Sequence, residues 1–185
     1  ALQRLDHDYL KKHMPRDGSV QFTQLTGAHG VLVLAGPKAR MLLERVTDAD
    51  LSNEAFRWLT AQDIVVGMAP VNAMRVNFVG ELGWELHHPI EYQNHIFDTL
   101  FGAGADLGLK PFCFRAMDTM RLDKSYRMVC TDLSIEYSAY ESAMDRFVTA
   151  DKGIFLGRDA LLAWQEAGMN YRLVTLEVHD VDDAD

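Results

Sequence analysis

Two carboxylates and two aromatic side chains lie within eight positions of one predicted hairpin, residues 75–86. These side chains are Phe78, Glu81, Trp84 and Glu85. A carboxylate that is sheltered from water needs hydrogen-bond donors, and two adjacent N–H groups satisfy it in a bidentate manner. An aromatic face beside such a carboxylate therefore suits a flat ring that carries N–H donors, and the hairpin is the candidate ligand site.

The local pattern predicts a strand, a tight turn and a second strand. Apolar and polar residues alternate up to Phe78 at the strand period of two. Gly80 and Gly83 bracket the reversal and can take positive φ at no steric cost. Glu81 is expected in the turn, exposed to water. Glu85 is expected in the return strand, where it shares a face with Phe78 only if the turn shifts the register.

The composition excludes several classes of protein. The net charge of -9 argues against a nucleic-acid surface, because phosphate binding needs a basic patch. No apolar run approaches the ~18 residues of a transmembrane helix, and the first residues lack the apolar segment of a signal peptide. The two cysteines, Cys113 and Cys130, exclude a disulfide scaffold and favour a reducing compartment. Each is expected to be a small buried hydrophobe.

The order of elements predicts an α+β fold with mainly antiparallel sheets and flanking helices. Helices are expected over residues 4–14, after Pro37, after Pro89, after Pro111 and over 158–167, the last ended by Gly168. Strands are expected at residues 19–25, 30–34, 64–66, 70–79, 145–148 and 172–178. The expected core anchors between the strands are Phe56, Trp58 and Leu59. In the helix after Pro111 the apolar face is expected to hold Cys113, Ala116, Met117 and Met120, opposite Arg115 and Asp118.

No motif for metal, nucleotide or serine-hydrolase chemistry is present. His87 and His88 are adjacent in a predicted strand, so their side chains point to opposite faces and cannot chelate one ion. The chain has no Cys-x-x-Cys or His-Glu-x-x-His metal motif and no Gly-x-Ser-x-Gly elbow. The strand–Gly–Pro–helix unit around Gly36 lacks the lysine pattern of a phosphate loop.

Five segments, in the family's order, resemble the aminomethyltransferase (glycine-cleavage T-protein) family of tetrahydrofolate-binding proteins. They are most similar to the folate-binding C-terminal half of dimethylglycine and sarcosine dehydrogenases. The segments are residues 34–40, 75–86, 102–109, 115–124 and 151–158, which read LAGPKAR, RVNFVGELGWEL, GAGADLGL, RAMDTMRLDK and DKGIFLGR. The VGELGWE block is the most specific of them.

The resemblance implies α+β subdomains and a β-barrel around a central folate channel. It also implies a reaction in which tetrahydrofolate captures a one-carbon unit from a methylated amine and becomes methylene-tetrahydrofolate. The implied partners are folate, a small methylated amine and further domains of the same protein. FAD is implied only if a dehydrogenase domain lies upstream. The implied location is the cytoplasm, or the mitochondrial matrix in a eukaryote.

The family's pterin-binding glutamate falls on Glu85, and the family's tyrosine falls on Phe78, which lacks the hydroxyl. The T-protein arginine position is Met117 here. Arg115 lies two residues earlier, where the dehydrogenase branch tends to carry its arginine. Glu81 is a weaker candidate for folate contact.

The family's catalytic aspartate is expected upstream of this chain, and both ends are expected to be cut. The expected domains are residues 1–50, the remainder of a first subdomain; 51–170, a second subdomain with the hairpin; and 171–185, the start of a truncated barrel. Two alternatives to the aminomethyltransferase-like enzyme stay open. One is a non-catalytic structural or regulatory module of the same fold, and the other is a folate-dependent demethylase of another small methylated compound.

Overall fold

An antiparallel sheet of four strands organises the first half of the chain, in a computed structural model that describes residues 2–177. The strands are β1 (His29–Ala35), β2 (Ala61–Val66), β3 (Ala69–Met74) and β4 (Gly83–Pro89). Their order across the sheet is β1-β4-β3-β2, with every neighbouring pair antiparallel. The α+β fold class predicted from the sequence is confirmed.

The hairpin between β2 and β3 shows how the sequence fixes the register. Val66 pairs with Ala69, which leaves a two-residue turn of Gly67 and Met68. Gly67 has φ of 61°, and glycine at the first central position is typical of the tight hairpin turns that match strand twist. Its amide also donates to the carbonyl oxygen of Val46 at 2.8 Å.

The helices lie close to their predicted positions. They are α1 (Gln3–His13), α2 (Ala39–Leu43), α3 (Gln93–Gly104), α4 (Phe114–Asp123) and α5 (Arg158–Ala167), with single 3₁₀ turns at Ile90–Tyr92, Ala105–Leu107 and Asp145–Phe147. Gly168 ends α5 with φ of 84°, as its predicted cap role requires. Within the described residues, no helix is long and apolar enough to cross a membrane.

Three predicted strands are wrong within the described residues. Residues 19–25 form no strand, and the segment predicted at 145–148 contains a 3₁₀ turn instead. Residues 172–177 also form no strand, and Val178 lies outside the described residues. A period-two pattern makes a strand only where a sheet edge supplies hydrogen-bond partners, and none of these segments pairs with the sheet.

Contacts divide the chain into two compact units. The first unit contains the residues up to Asn77 together with Glu81–Pro111, and the second contains Phe78–Gly80 together with the residues from Phe112 onward. The three expected domains, with boundaries near residues 50 and 170, concern the architecture of the longer proteins and stay a prediction.

The first unit buries an apolar core between one face of the sheet and helices α2 and α3. Phe56 and Trp84 are completely buried, with ring centroids 6.1 Å apart in an edge-to-face arrangement. Phe56 is therefore confirmed as an anchor. Trp58 and Leu59 are not, because they are 68% and 64% exposed. Leu59 has φ of 60°, so this segment is a turn rather than a helix face.

The second unit is organised around a buried charge. Arg121 of α4 is 3% exposed. Its Nε donates to Asp118 at 2.7 Å, and its Nη1 donates to Asp132 and to the carbonyl oxygen of Tyr126. The apolar face predicted for α4 is therefore wrong, since Arg121 is the buried residue of this helix. Its hydrogen bonds compensate the cost of burying the guanidinium.

The predicted burial of both cysteines is also wrong, because Cys113 and Cys130 are exposed. Cys113 directly precedes α4, where the free backbone amides of the first turn lie. Hydrogen bonds from the amides of Ala116 and Arg115 lower the pKa of the Cys113 thiol. Cysteine is usually buried in proteins, but residue type alone does not reveal that Cys113 lies directly before α4.

Candidate functional site: the outer face of the sheet

The strand before the predicted turn ends earlier than the sequence indicates. β3 stops at Met74, and the amide of Val76 donates back to the Met74 carbonyl oxygen at 2.8 Å. An i to i+2 bond of this kind is a γ-turn, which is common at strand ends. The connection to β4 is therefore an eight-residue loop, residues 75–82, and not the tight turn that was predicted.

The two glycines of this segment have different roles. Gly80 has φ of 70°, which confirms the prediction that it takes a left-handed conformation. Gly83 does not. A Cβ at Gly83 would lie 2.5 Å from the carbonyl oxygen of Leu34, so the missing side chain lets β4 approach β1 closely. The carbonyl oxygen of Glu81 accepts a hydrogen bond from the Asn77 side-chain amide across the loop.

Side chains alternate along β4 between the two faces of the sheet. Trp84, Leu86 and His88 are buried in the core, whereas Glu85 and His87 are half-buried on the outer face. The prediction that His87 and His88 point to opposite faces is confirmed. His88 is fixed in the core by the carbonyl oxygen of Leu86 and by Oε1 of Gln93, each 2.8 Å from a ring nitrogen.

Glu85 lies on the outer face of β4, an inner strand of the sheet, at the end of the β3–β4 ladder. Its register partners are Val33 on β1 and Met74 on β3. Oε2 of Glu85 is 3.2 Å from Nε2 of His87, and the two side chains are 32% and 34% exposed. The histidine thus holds one carboxylate oxygen, and solvent or a ligand can reach the pair.

A second polar pair extends this surface. Asn72, the register partner of His87, donates to Oδ1 of Asp63 on β2 at 2.6 Å. On the other side, Val31 and Val33 of β1 are 46% and 41% exposed. The outer face therefore combines a strip of carboxylate, imidazole and amide groups with an exposed apolar edge. Such a surface can receive a flat ring with N–H donors at one margin.

Trp84 does not provide an aromatic surface beside the Glu85 carboxylate. That ring is buried on the opposite face, against Phe56 and beneath the Arg75 guanidinium, whose Cζ is 5.9 Å from the ring centroid. Strand alternation alone predicts this result, because adjacent residues face opposite sides of a sheet. Trp84 therefore stabilises the fold and does not contribute to the outer face.

The remaining candidates lie in two units. Glu81 is an exposed residue of the first unit. Phe78 and Arg115 belong to the second, where Phe78 is half-buried and Arg115 is exposed. The Phe78 ring is 6.3 Å from the ring of Tyr126, centroid to centroid. The sequence analysis did not identify Tyr126 as a neighbour of Phe78, because it lies in an irregular segment without any periodic signal.

Among residues 2–177, no group of three or more histidine, cysteine or acidic side chains is arranged to hold a metal ion.

Comparisons with known proteins place these observations in a family. Residues 1–152 match the model of the GCVT N-terminal domain. Human mitochondrial dimethylglycine dehydrogenase is 36% identical over 166 residues, which cover 88% of this chain and 19% of that protein. Human mitochondrial sarcosine dehydrogenase is 38% identical over 152 residues, covering 82% and 17%. Aminomethyltransferase of Thermoanaerobacter sp. (strain X514) is 31% identical over 161 residues, covering 87% and 44%.

Proposed function

The chain belongs to the GCVT N-terminal domain family and is related to dimethylglycine and sarcosine dehydrogenases and to aminomethyltransferases, and we propose that it binds tetrahydrofolate. It would then serve an enzyme that captures a one-carbon unit from a methylated amine of the dimethylglycine or sarcosine type, with methylene-tetrahydrofolate as product. The chain spans about a fifth of the two dehydrogenases, so the complete reaction is proposed for the longer protein.

The observation that carries the proposal is the position of Glu85. It is an accessible carboxylate on the outer face of an inner strand, and His87 holds only one of its oxygens. A pterin offers an amide-like N–H next to an amino group, and this pair of donors matches a carboxylate. Val33, the register partner of Glu85, would contact the ring itself.

In this function the residues of the chain bind and orient the ligand. Tetrahydrofolate supplies the nucleophilic nitrogen that accepts the one-carbon unit. Glu85 would fix the edge of the pterin, and His87 would hold the Glu85 carboxylate in the orientation that the ligand needs. Phe78 and Arg115 remain candidate contacts to folate through the resemblance. No proton transfer is assigned to these residues.

Calorimetry of the complete protein with tetrahydrofolate tests the assignment. We expect Glu85→Gln to weaken binding by about 1.5–3 kcal/mol, the range for a hydrogen bond to a charged group. Glu91→Gln is the matched control, because Glu91 is an exposed carboxylate of the same unit, six residues later. Unchanged affinity in Glu85→Gln, or an equal loss in both variants, would reject Glu85 as the pterin anchor.

A non-catalytic module is the second candidate, favoured by two side chains. Phe78 lacks the hydroxyl of the family's tyrosine, and Met117 stands at the T-protein arginine position. An assay of methylene-tetrahydrofolate formation from dimethylglycine or sarcosine by the complete protein separates the two. Folate binding without product supports the module, provided that other small methylated amines also give none. Product from another amine supports the folate-dependent demethylase.

If the protein comes from a eukaryote, we propose the mitochondrial matrix as its location, since both dehydrogenase relatives are mitochondrial.

A further inference from the structure

Two arginines of the first unit share one neutral acceptor. Nη2 of Arg40 and Nη2 of Arg75 each donate to Oδ1 of Asn53 at 2.7 Å. The two nitrogens are therefore no farther apart than twice that distance. An asparagine oxygen carries no net charge, so the two positive charges meet over an acceptor that does not neutralise either of them.

The protein holds both guanidiniums in place. Arg75 follows the last residue of β3, and its Nη1 donates to the carbonyl oxygen of Phe56 at 2.5 Å. Arg40 belongs to α2, and its Nε is buried without a hydrogen-bond partner among residues 2–177. A buried N–H that lacks an acceptor costs free energy, so an additional acceptor at Arg40 would be stabilising.

Neither guanidinium is paired with an acidic side chain of the described residues. Within the part of the chain that the structure describes, no carboxylate forms an ion pair with Arg40 or Arg75. Burial, together with the neighbouring charge of Arg40, lowers the pKa of Arg75. By contrast, Arg45 and Arg121 each meet a carboxylate.

We propose that Arg40 and Arg75 form an oxyanion-binding site for a phosphate or carboxylate group of a small ligand. Guanidinium groups bind such anions through two parallel N–H donors. Asn53 is exposed and both arginines are half-buried, so the cluster lies partly in solvent. Arg75 lies against the core-facing ring of Trp84, whereas Glu85 lies on the outer face. The site is therefore separate from the proposed folate surface and does not depend on that proposal.

Thermal unfolding of the complete protein tests the site, with phosphate and acetate each compared with chloride at equal ionic strength. A rise in Tm with either oxyanion beyond the chloride value is expected, and the anion that produces it identifies the group bound. Arg40→Gln should lose this rise, whereas Arg57→Gln, which removes an exposed arginine, should keep it. An equal response to chloride, or a rise that survives Arg40→Gln, would overturn the proposal.

Asn53→Asp provides a second test that does not remove a guanidinium. The substitution is nearly isosteric and supplies the missing negative charge within the chain. The variant should have a higher Tm than the parent in chloride and should no longer respond to phosphate or acetate. A variant that keeps the full oxyanion response would contradict the proposed site.

Trp84 offers a local measurement of binding, because it lies beside Arg75 and is completely buried. In a background with Trp58→Phe and Trp164→Phe, both exposed positions, its fluorescence should titrate with the oxyanion that raises Tm. Arg40→Gln should raise the half-saturating concentration by about tenfold or more, the effect of losing one charged hydrogen bond. An unchanged titration midpoint would argue against a role for Arg40.

Discussion

The two compact units are stabilised by different kinds of side chain. The first unit buries a continuous apolar cluster that includes Phe56 and Trp84. The buried side chains among residues 112–177 are Arg121, Ser138 and Ser142. Apolar burial is non-directional and scales with area, whereas a buried polar network depends on each of its hydrogen bonds.

Backbone conformation shows the same contrast. Among the described residues, the non-glycine residues with φ between 53° and 71° are Ser125, Cys130 and Ala143 of the second unit and Leu59 of the first. Non-glycine residues in this region are strained and persist only where their surroundings hold them. Val79 is the buried apolar side chain in the described part of the second unit, so the second unit depends more than the first on specific hydrogen bonds.

The largest expected effect is the loss of an aromatic anchor in the first unit. Phe56→Ala should lower the free energy of unfolding by about 3–5 kcal/mol, the range for a buried phenylalanine. Trp58→Ala, two residues away at an exposed position, should change it by about 0.5 kcal/mol or less. Denaturant unfolding of both variants measures the difference, and similar losses would contradict the apolar-core account of the first unit.

Removal of the buried charge should be nearly as damaging in the second unit. Arg121→Met is expected to cost about 2–4 kcal/mol, somewhat less than for a fully buried pair, because water can partly solvate the remaining carboxylates. Arg121→Lys retains the charge but lacks the fork that contacts Asp118 and Asp132.

Hydrogen exchange of backbone amides measures which part of the chain is destabilised when Arg121 is replaced. The amide of Met128 donates to Asp132 at 2.9 Å, so its protection should fall in Arg121→Met and partly recover in Arg121→Lys. Protection that stays unchanged in Arg121→Met would show that this charge network does not hold the second unit together.

A smaller effect is expected where two strands of the first unit meet. Gly83→Ala should cost about 1–3 kcal/mol by overpacking, since its Cβ would meet the Leu34 carbonyl oxygen. Gly102 of α3 is exposed, and among the described residues a methyl group there would meet nothing within 4 Å outside its own helix backbone. Gly102→Ala should therefore be neutral or stabilise by up to about 1 kcal/mol. Equal Tm shifts in the two variants would contradict the close approach of β1 and β4.

The smallest expected effect is on the acid stability of the second unit. Glu141 accepts hydrogen bonds from the amides of Ser138 at 2.9 Å and Asn170 at 3.2 Å. The first of these is the main reason that the pKa of Glu141 lies below its ordinary value. The unfolded chain then binds this proton more readily than the folded chain, so stability falls as the pH decreases.

The contribution of Glu141 should be complete above about pH 4.3, the ordinary glutamate pKa. It should disappear as the pH falls through the lower folded-state pKa. Glu141→Gln should therefore flatten the acid limb of a plot of unfolding free energy against pH. Glu136→Gln, at an exposed position, is the control and should leave the acid limb unchanged.

Local signals predicted much of the fold. Helical spacing located α3 and α5, and the glycine at 168 marked the end of α5. The strands that pair in the sheet were found, but 19–25 shows that alternation without a partner is not enough. Trp58 was wrongly predicted to be buried, and the burial of Arg121 was not predicted, because burial depends on tertiary contacts that residue type does not encode.

The candidate site was predictable only in part. Strand alternation correctly separated His87 from His88, and the same rule, applied strictly, places Trp84 away from Glu85. The eight-residue loop before β4 was not foreseen, because a γ-turn has no composition signal of its own. The pairing of Arg40 and Arg75 through Asn53 joins positions 35 residues apart in sequence, which no local pattern reveals.

The alternation of side chains along β4 also bears on how such a domain can change during evolution. Trp84, Leu86 and His88 are committed to the core, and their neighbours Glu85 and His87 are not. If the outer face binds the proposed ligand, substitutions there would alter ligand preference with little loss of stability. On that proposal, one strand would separate variation in recognition from the requirement to fold.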